Sequence, residues 1–223
     1  MKKTEEQYLA DYYNFLDTVP ATTLGLMSKG TWELDPRRLA IMLSRYKFVS
    51  KMLSGHQNTI EIGCGDAFAS RIVQQEVPNL TVVDIEPKFI ADIDNRNSTR
   101  WPLNAVLHNI LEGPVRSDVE FDSAYSLDVL EHIDVSEEDT FLTNIKDTVK
   151  EKGVVIIGMP SLESQRYASP ASKAGHINCK TGADLKSACE RHFSHVFLFS
   201  MNDEVVHTGY YPMAHYLLAL CVK

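Results

Sequence analysis

Long apolar runs, clustered basic residues and paired cysteines are all missing from this 223-residue chain. No segment approaches the roughly 20 apolar residues needed to cross a bilayer as a helix, and the opening MKKTEEQYLADYYNF has no continuous apolar core of the kind a secretory leader carries. With 22 Lys and Arg against 30 Asp and Glu, the net charge is −8, too acidic for a broad electrostatic footprint on nucleic acid or an anionic membrane. Both are set aside as partners, and a small molecule is favoured. The four cysteines, Cys64, Cys179, Cys189 and Cys221, show no paired spacing and are expected as reduced thiols in a cytoplasmic protein. Two glycine fingerprints are also absent: the G-x-G-x-x-G of dinucleotide-binding folds and a Walker loop ending in Lys-Ser or Lys-Thr.

The chain does hold enough apolar residues, 44%, for a single compact α/β domain. Its organising stretch is TIEIGCGDAFAS, Thr59 to Ser70, where a β-branched apolar run ends in glycines and helix-forming residues follow. Glycine at a strand-to-helix bend lets backbone approach a ligand, and the following helix start offers free N–H groups. An acid, Glu61, precedes the glycines; it would repel a pyrophosphate but suits a ligand bearing an ammonium and hydroxyls. Glu61-x-Gly63-x-Gly65 resembles the first motif of class I S-adenosylmethionine-dependent methyltransferases, with Ala67 in the place of a third glycine.

Before this stretch, Tyr8, Leu9, Tyr12, Tyr13, Phe15 and Leu16 recur at helical intervals and predict an amphipathic helix from Glu5 to Asp17. Val19 to Glu33 reads as a surface loop with the place of a lid, and Asp35-Pro36 as an N-cap and first-turn proline opening a helix that runs to Gly55. Residues 1–34 thus form an N-terminal helical extension and 35–223 the main domain. In the resembled family, helices ahead of the first strand cover the cofactor, which makes Tyr12, Met27, Trp32 and Arg45 candidate contacts.

After it, strand and helix patterns alternate, as in a parallel sheet with helices on both faces. Leu80–Ile85, Asn104–His108, Glu120–Leu127 and Gly153–Pro160 are expected as strands, with helices at Ser136–Lys150 and Thr181–His192 and two closing strands at Ser194–Met201 and His215–Val222. Asp84 stands at the carboxyl edge of the second strand, where open α/β sheets bind ligands. The resemblance implies a Rossmann-like, seven-stranded, mostly parallel sheet with an antiparallel last strand. It further implies that Asp84 binds the ribose hydroxyls of S-adenosylmethionine beside Ile85, that Asn109 and Ile110 receive the adenine, and that Glu61, Gly63, Cys64, Gly65 and Leu127 line the remainder.

The fourth strand runs FDSAYSL into Asp128-Val129-Leu130-Glu131-His132, and this resembles a second methyltransferase motif ending in Glu-His. Two motifs in order, with an acid at the intervening strand end, strengthen the resemblance. The Glu-His pair also occurs in ubiquinone-pathway O-methyltransferases acting on small molecules. Spacing of i, i+3 and i+4 puts Asp128, Glu131 and His132 on one side of a helical turn, although Asp128 with Glu131 equally forms a capping pattern that needs no ion. With His176 these residues resemble the metal-binding constellation of small-RNA 2′-O-methyltransferases, and two carboxylates with imidazoles suit Mg²⁺, Mn²⁺ or Fe²⁺. Either His132 or His176 is alternatively a catalytic base. The polar segment Ser161–Lys180 and the segment Asn202–Pro212 are expected over the active-site edge, recognising a hydroxylated metabolite or saccharide precursor. Methylation of RNA ends or a protein, and a non-catalytic S-adenosylmethionine-binding regulator, stand as alternatives. No oligomeric state is legible.

Overall fold

The computed structural model describes residues 3–223. Three helices come first: α1 (Glu5–Thr18), α2 (Leu26–Leu34) and α3 (Pro36–Met52). Alternation then sets in as β1 (Asn58–Ile62), α4 (Ser70–Gln74), β2 (Asn79–Asp84), α5 (Pro87–Arg96) and β3 (Asn104–Leu107). It continues through β4 (Phe121–Leu127), α6 (Glu138–Thr148), β5 (Val149–Pro160), α7 (Pro170–Gly175) and α8 (Gly182–Glu190). The chain finishes in antiparallel strands, β6 (His195–Asn202), β7 (Val205–His207) and β8 (Tyr216–Val222).

These strands make one eight-stranded sheet in the order β3-β2-β1-β4-β5-β8-β6-β7. The first five are mutually parallel, and β8 enters antiparallel between β5 and β6. The doubly wound sheet and antiparallel closure agree with expectation; the extra strand is β7, three residues long, from the segment read as a loop after Asn202. Val205 and Val206 have the β-branched character of a strand, but three residues leave no alternation to detect. Apolar side chains on the two sheet faces form two cores, one with Phe141, Leu142 and Ile145 of α6 and Leu185 of α8, the other with Tyr46, Val49 and Leu53 at α3.

Residues 26–34, expected as loop, form α2. Leu26–Leu34 is helical although Gly30 sits inside it and Gly25, its N-cap, offers no side chain. Its free N–H groups are taken from elsewhere in the chain: Asp66 Oδ2 accepts from Ser28 N at 2.7 Å, and Asp92 Oδ2 from Leu26 N at 3.3 Å. Capping of this kind leaves no local sequence signature. The expected cap of α3 is likewise different, since Asp35 makes no capping bond and pairs with Arg37 while Pro36 starts the helix. α1 has its capping box, Thr4 with Gln7, but buries no residue. No helix among the described residues is long and apolar enough to cross a membrane.

Candidate active site

The glycine bend lies at the carboxyl edge of β1 with Gly63 at φ +76° and Gly65 at φ +54°, conformations that side-chain-bearing residues adopt only under strain. Its frame is a set of buried polar bonds. Val83 O accepts from Gly63 N (2.8 Å) and Cys64 N (2.9 Å), and Asp84 accepts from Gly65 N (2.8 Å) and Glu86 N (2.9 Å). Beneath it Glu61, fully buried, accepts hydrogen bonds from the hydroxyls of Tyr46 (2.7 Å), Tyr125 (2.7 Å) and Ser70. Burial raises the Glu61 carboxyl to about 7 despite these donors. Both Glu61 oxygens thus accept from protein hydroxyls and brace the bend from below.

A small cavity of about 120 Å³ opens on this bend, lined by Gly63, Cys64, Gly65, Leu127 and Asp128 of the sheet edge and by Met27, Thr31 and Met42 of the covering helices. Met27 lies close over Gly65: a Cβ there would stand 2.8 Å from its sulfur. A second cavity, about 490 Å³, adjoins it and shares Met27, Thr31, Met42 and Asp128 as lining; its far wall carries Arg45, Glu131, His132, His176 and His215. Of the four contacts expected from the leading helices, Met27 and Arg45 line cavities, whereas Tyr12 and Trp32 are exposed and line neither of these two.

Glu131, His132 and His176 each bring a donor atom within 4.8 Å of the others, although 44 residues separate the two histidines. The rings of His132 and His176 are 5.1 Å apart and nearly perpendicular. Asp128 stands outside this group. It adopts φ +58° ahead of a single tight turn, Leu130–His132, so the helical spacing that would align it with Glu131 and His132 is not realised. Arg45 Nη1 instead donates to both of its oxygens, at 2.9 and 2.6 Å, while the guanidinium stacks on Tyr216 at 3.7 Å from the ring centre. The capping alternative is not realised either, since that turn has no side-chain cap. Burial, helped by Asp128, pushes the Glu131 carboxyl up to about 9, and its Oε2 has no partner among the described residues. Desolvation and the neighbouring His132 lower His176.

The other expected contacts lie along the sheet edge. Ile85 is exposed and Ile110 buried, and the Asn109 side chain caps the short turn Ile110–Glu112 through Leu111 N at 3.1 Å. Cys64 presents its backbone to the bend, its buried thiol raised well above the usual range. Sequence reasoning missed Asp66, whose carboxylate ties the bend to α2, and the hydroxyls of Tyr46 and Tyr125 on Glu61. Only the position of Asp66 directly after Gly65 could have marked it.

Residues 60–157 match a methyltransferase domain. Among solved structures the chain resembles the N-methyltransferase NodS from Bradyrhizobium japonicum WM9, with 19% identity over 86% of this chain and 98% of that one and a TM-score of 0.59. It also resembles the methyltransferase domain of bacterial CtHen1, at 14% identity over 82% and 98% with a TM-score of 0.66. A third is a SAM-dependent methyltransferase from Archaeoglobus fulgidus, at 18% over 84% and 94% with a TM-score of 0.62. No curated protein matches the sequence significantly. At these identities the structural likeness speaks for the fold, which is that of class I methyltransferases. The domain match carries the activity: the chain is an S-adenosylmethionine-dependent methyltransferase.

Proposed function

We propose that this methyltransferase acts on a hydroxyl of a small acceptor, held in the 490 Å³ cavity, with a divalent cation at Glu131, His132 and His176. The carrying observation is that this donor cluster lines the cavity adjoining the glycine bend, so the two share a wall. The Glu-His pair, as in ubiquinone-pathway O-methyltransferases, supports oxygen as the acceptor atom. S-adenosylmethionine fits the bend in its chemistry: glycines without side chains at the approach, Asp84 at the strand end for ribose hydroxyls, and Ile85, Asn109 and Ile110 along the edge for the adenine.

The donor set fits a metal as well. One carboxylate with a buried, unpartnered oxygen and two imidazoles make a mixed oxygen and nitrogen site of the kind Mg²⁺, Mn²⁺ or Fe²⁺ accepts. Bound there, S-adenosylmethionine supplies an electrophilic methyl group and the cation a charge that lowers the pKa of the acceptor hydroxyl. The chain's own part is to orient the acceptor and exclude water. Met27 and Met42 form apolar wall between the two cavities, and Arg45 neutralises Asp128 so that the shared wall carries no bare carboxylate. His132 or His176 takes the hydroxyl proton where no ion is held, its free ring nitrogen acting as the general base. A cavity of this volume suits an acceptor of metabolite or sugar size.

Purified protein given S-adenosylmethionine with a tritiated methyl group and a size-fractionated metabolite pool should label small hydroxylated compounds. EDTA should suppress the labelling and Mn²⁺ or Mg²⁺ restore it, and His176→Ala should lose turnover while calorimetry shows unchanged cofactor binding. Label recovered only on RNA ends or protein would overturn the acceptor reading. Indifference to EDTA would overturn the metal, and normal turnover by His176→Ala would overturn its catalytic assignment.

A further inference from the structure

The segment between β5 and α8 carries His176, and it also supplies an oxygen to each histidine of the cluster. Building on the metal reading above, we propose that Gln165 is a positioning residue. Its side-chain oxygen holds His176 as the Nδ1–H tautomer and leaves Nε2 as the free lone pair.

The hydrogen-bond network fixes the direction of every bond. Gln165 Nε2 faces Ser161 O at 3.3 Å and Ser164 Oγ at 3.4 Å, and a carbonyl oxygen only accepts. The amide nitrogen therefore points to Ser161, and Gln165 Oε1 is the atom 2.9 Å from His176 Nδ1. An amide oxygen has no proton to give, so Nδ1 donates and a neutral ring must carry its lone pair on Nε2. His132 is treated alike by a backbone group, Gly175 O lying 2.9 Å from its Nδ1. Metal-ligating histidines are oriented in this way, through the nitrogen that does not bind.

Gln165 is itself held in place. Ser161 is buried, donates its hydroxyl to Ala214 O at 2.6 Å and its N–H to His215 O at 3.1 Å, and so ties the segment to the chain entering β8. At the other end Asn178 N donates to Glu131 O at 3.0 Å, which sets the far side of His176 against the turn it faces. An amide suits this position better than a carboxylate would. It fixes the tautomer without adding negative charge to a cavity already lined by Asp128, Glu131 and Asp203.

The test compares wild type with Gln165→Leu, which removes the acceptor, and Gln165→Glu, which keeps one. Long-range proton–nitrogen NMR on metal-free protein reads the His176 tautomer directly. Wild type and Gln165→Glu should show Nδ1–H, and Gln165→Leu should move toward Nε2–H. In Co²⁺ titrations followed by visible absorption, Gln165→Leu should bind roughly 10- to 100-fold more weakly and Gln165→Glu should recover most of the loss. Cofactor binding should be unchanged in both variants. The proposal is overturned if Gln165→Leu keeps the wild-type tautomer, or if it binds Co²⁺ as tightly as wild type. Because the NMR measurement needs no metal, it judges Gln165 even if wild type fails to take up Co²⁺; that failure would overturn the metal reading instead.

Discussion

Gly63 shows how little room a residue at the bend has. A Cβ there would stand 2.3 Å from Val129 Cγ2, in a backbone conformation (φ +76°) that β-branched residues avoid. Gly63→Val should therefore abolish cofactor binding in calorimetry and lower the melting temperature as well, because the clash is with the protein itself. Glu61 predicts a pH effect. Its carboxyl, raised from 4.5 to about 7, keeps a proton in the folded state that the unfolded chain has lost. Across that window stability falls as pH rises, by on the order of 3 kcal/mol in total for this group. Urea melts between pH 4.5 and 7.5 should show that slope, and Glu61→Gln should reduce it, the remainder belonging to Glu131, whose carboxyl is raised in the same direction. The places of the glycines and Asp84 at the carboxyl edge of the sheet were legible because an apolar, β-branched run leads into each. The engagement of Asp128 with Arg45 was not, since the partners are 83 residues apart and the left-handed backbone at Asp128 breaks the helical spacing expected there.

At the level of elements, α2 depends on a residue 38 positions further along. Asp66→Ala removes both acceptors for Ser28, an effect of about 1 kcal/mol by analogy with helix N-caps. The expected outcome is faster protease cleavage between residues 19 and 34 and cofactor binding about fivefold weaker, the factor that free energy corresponds to. Limited proteolysis and calorimetry on the same sample would check both. Strand and helix alternation from Asn58 to Glu190 could largely be read from the sequence because most of its elements bury apolar residues, β3 and α7 being the exceptions. α2 could not, since its cap is tertiary and Gly30 lowers its intrinsic propensity. The segment 161–180 stood out in the sequence by its length and polarity, but the tight turn Glu163–Tyr167 and α7 within it did not. Their bonds run to Glu131, His132 and the entry to β8, far away in sequence.

For the whole molecule, the cores lie on the two faces of the sheet and α1 contributes to neither. Deleting residues 1–18 should leave the melting temperature within about 2 °C of the full chain, as surface changes outside the packed interior do; differential scanning calorimetry would detect a larger loss. The arrangement of the sheet also bears on how the protein is made. β8 fills the gap between β5 and β6, and seven residues of each face it in register. While the ribosome still holds residues 216–222, those two strands have bare edges side by side, and the nascent polypeptide is exposed to mispairing with its neighbours on a polysome. Synthesis of the final strand closes both edges at once.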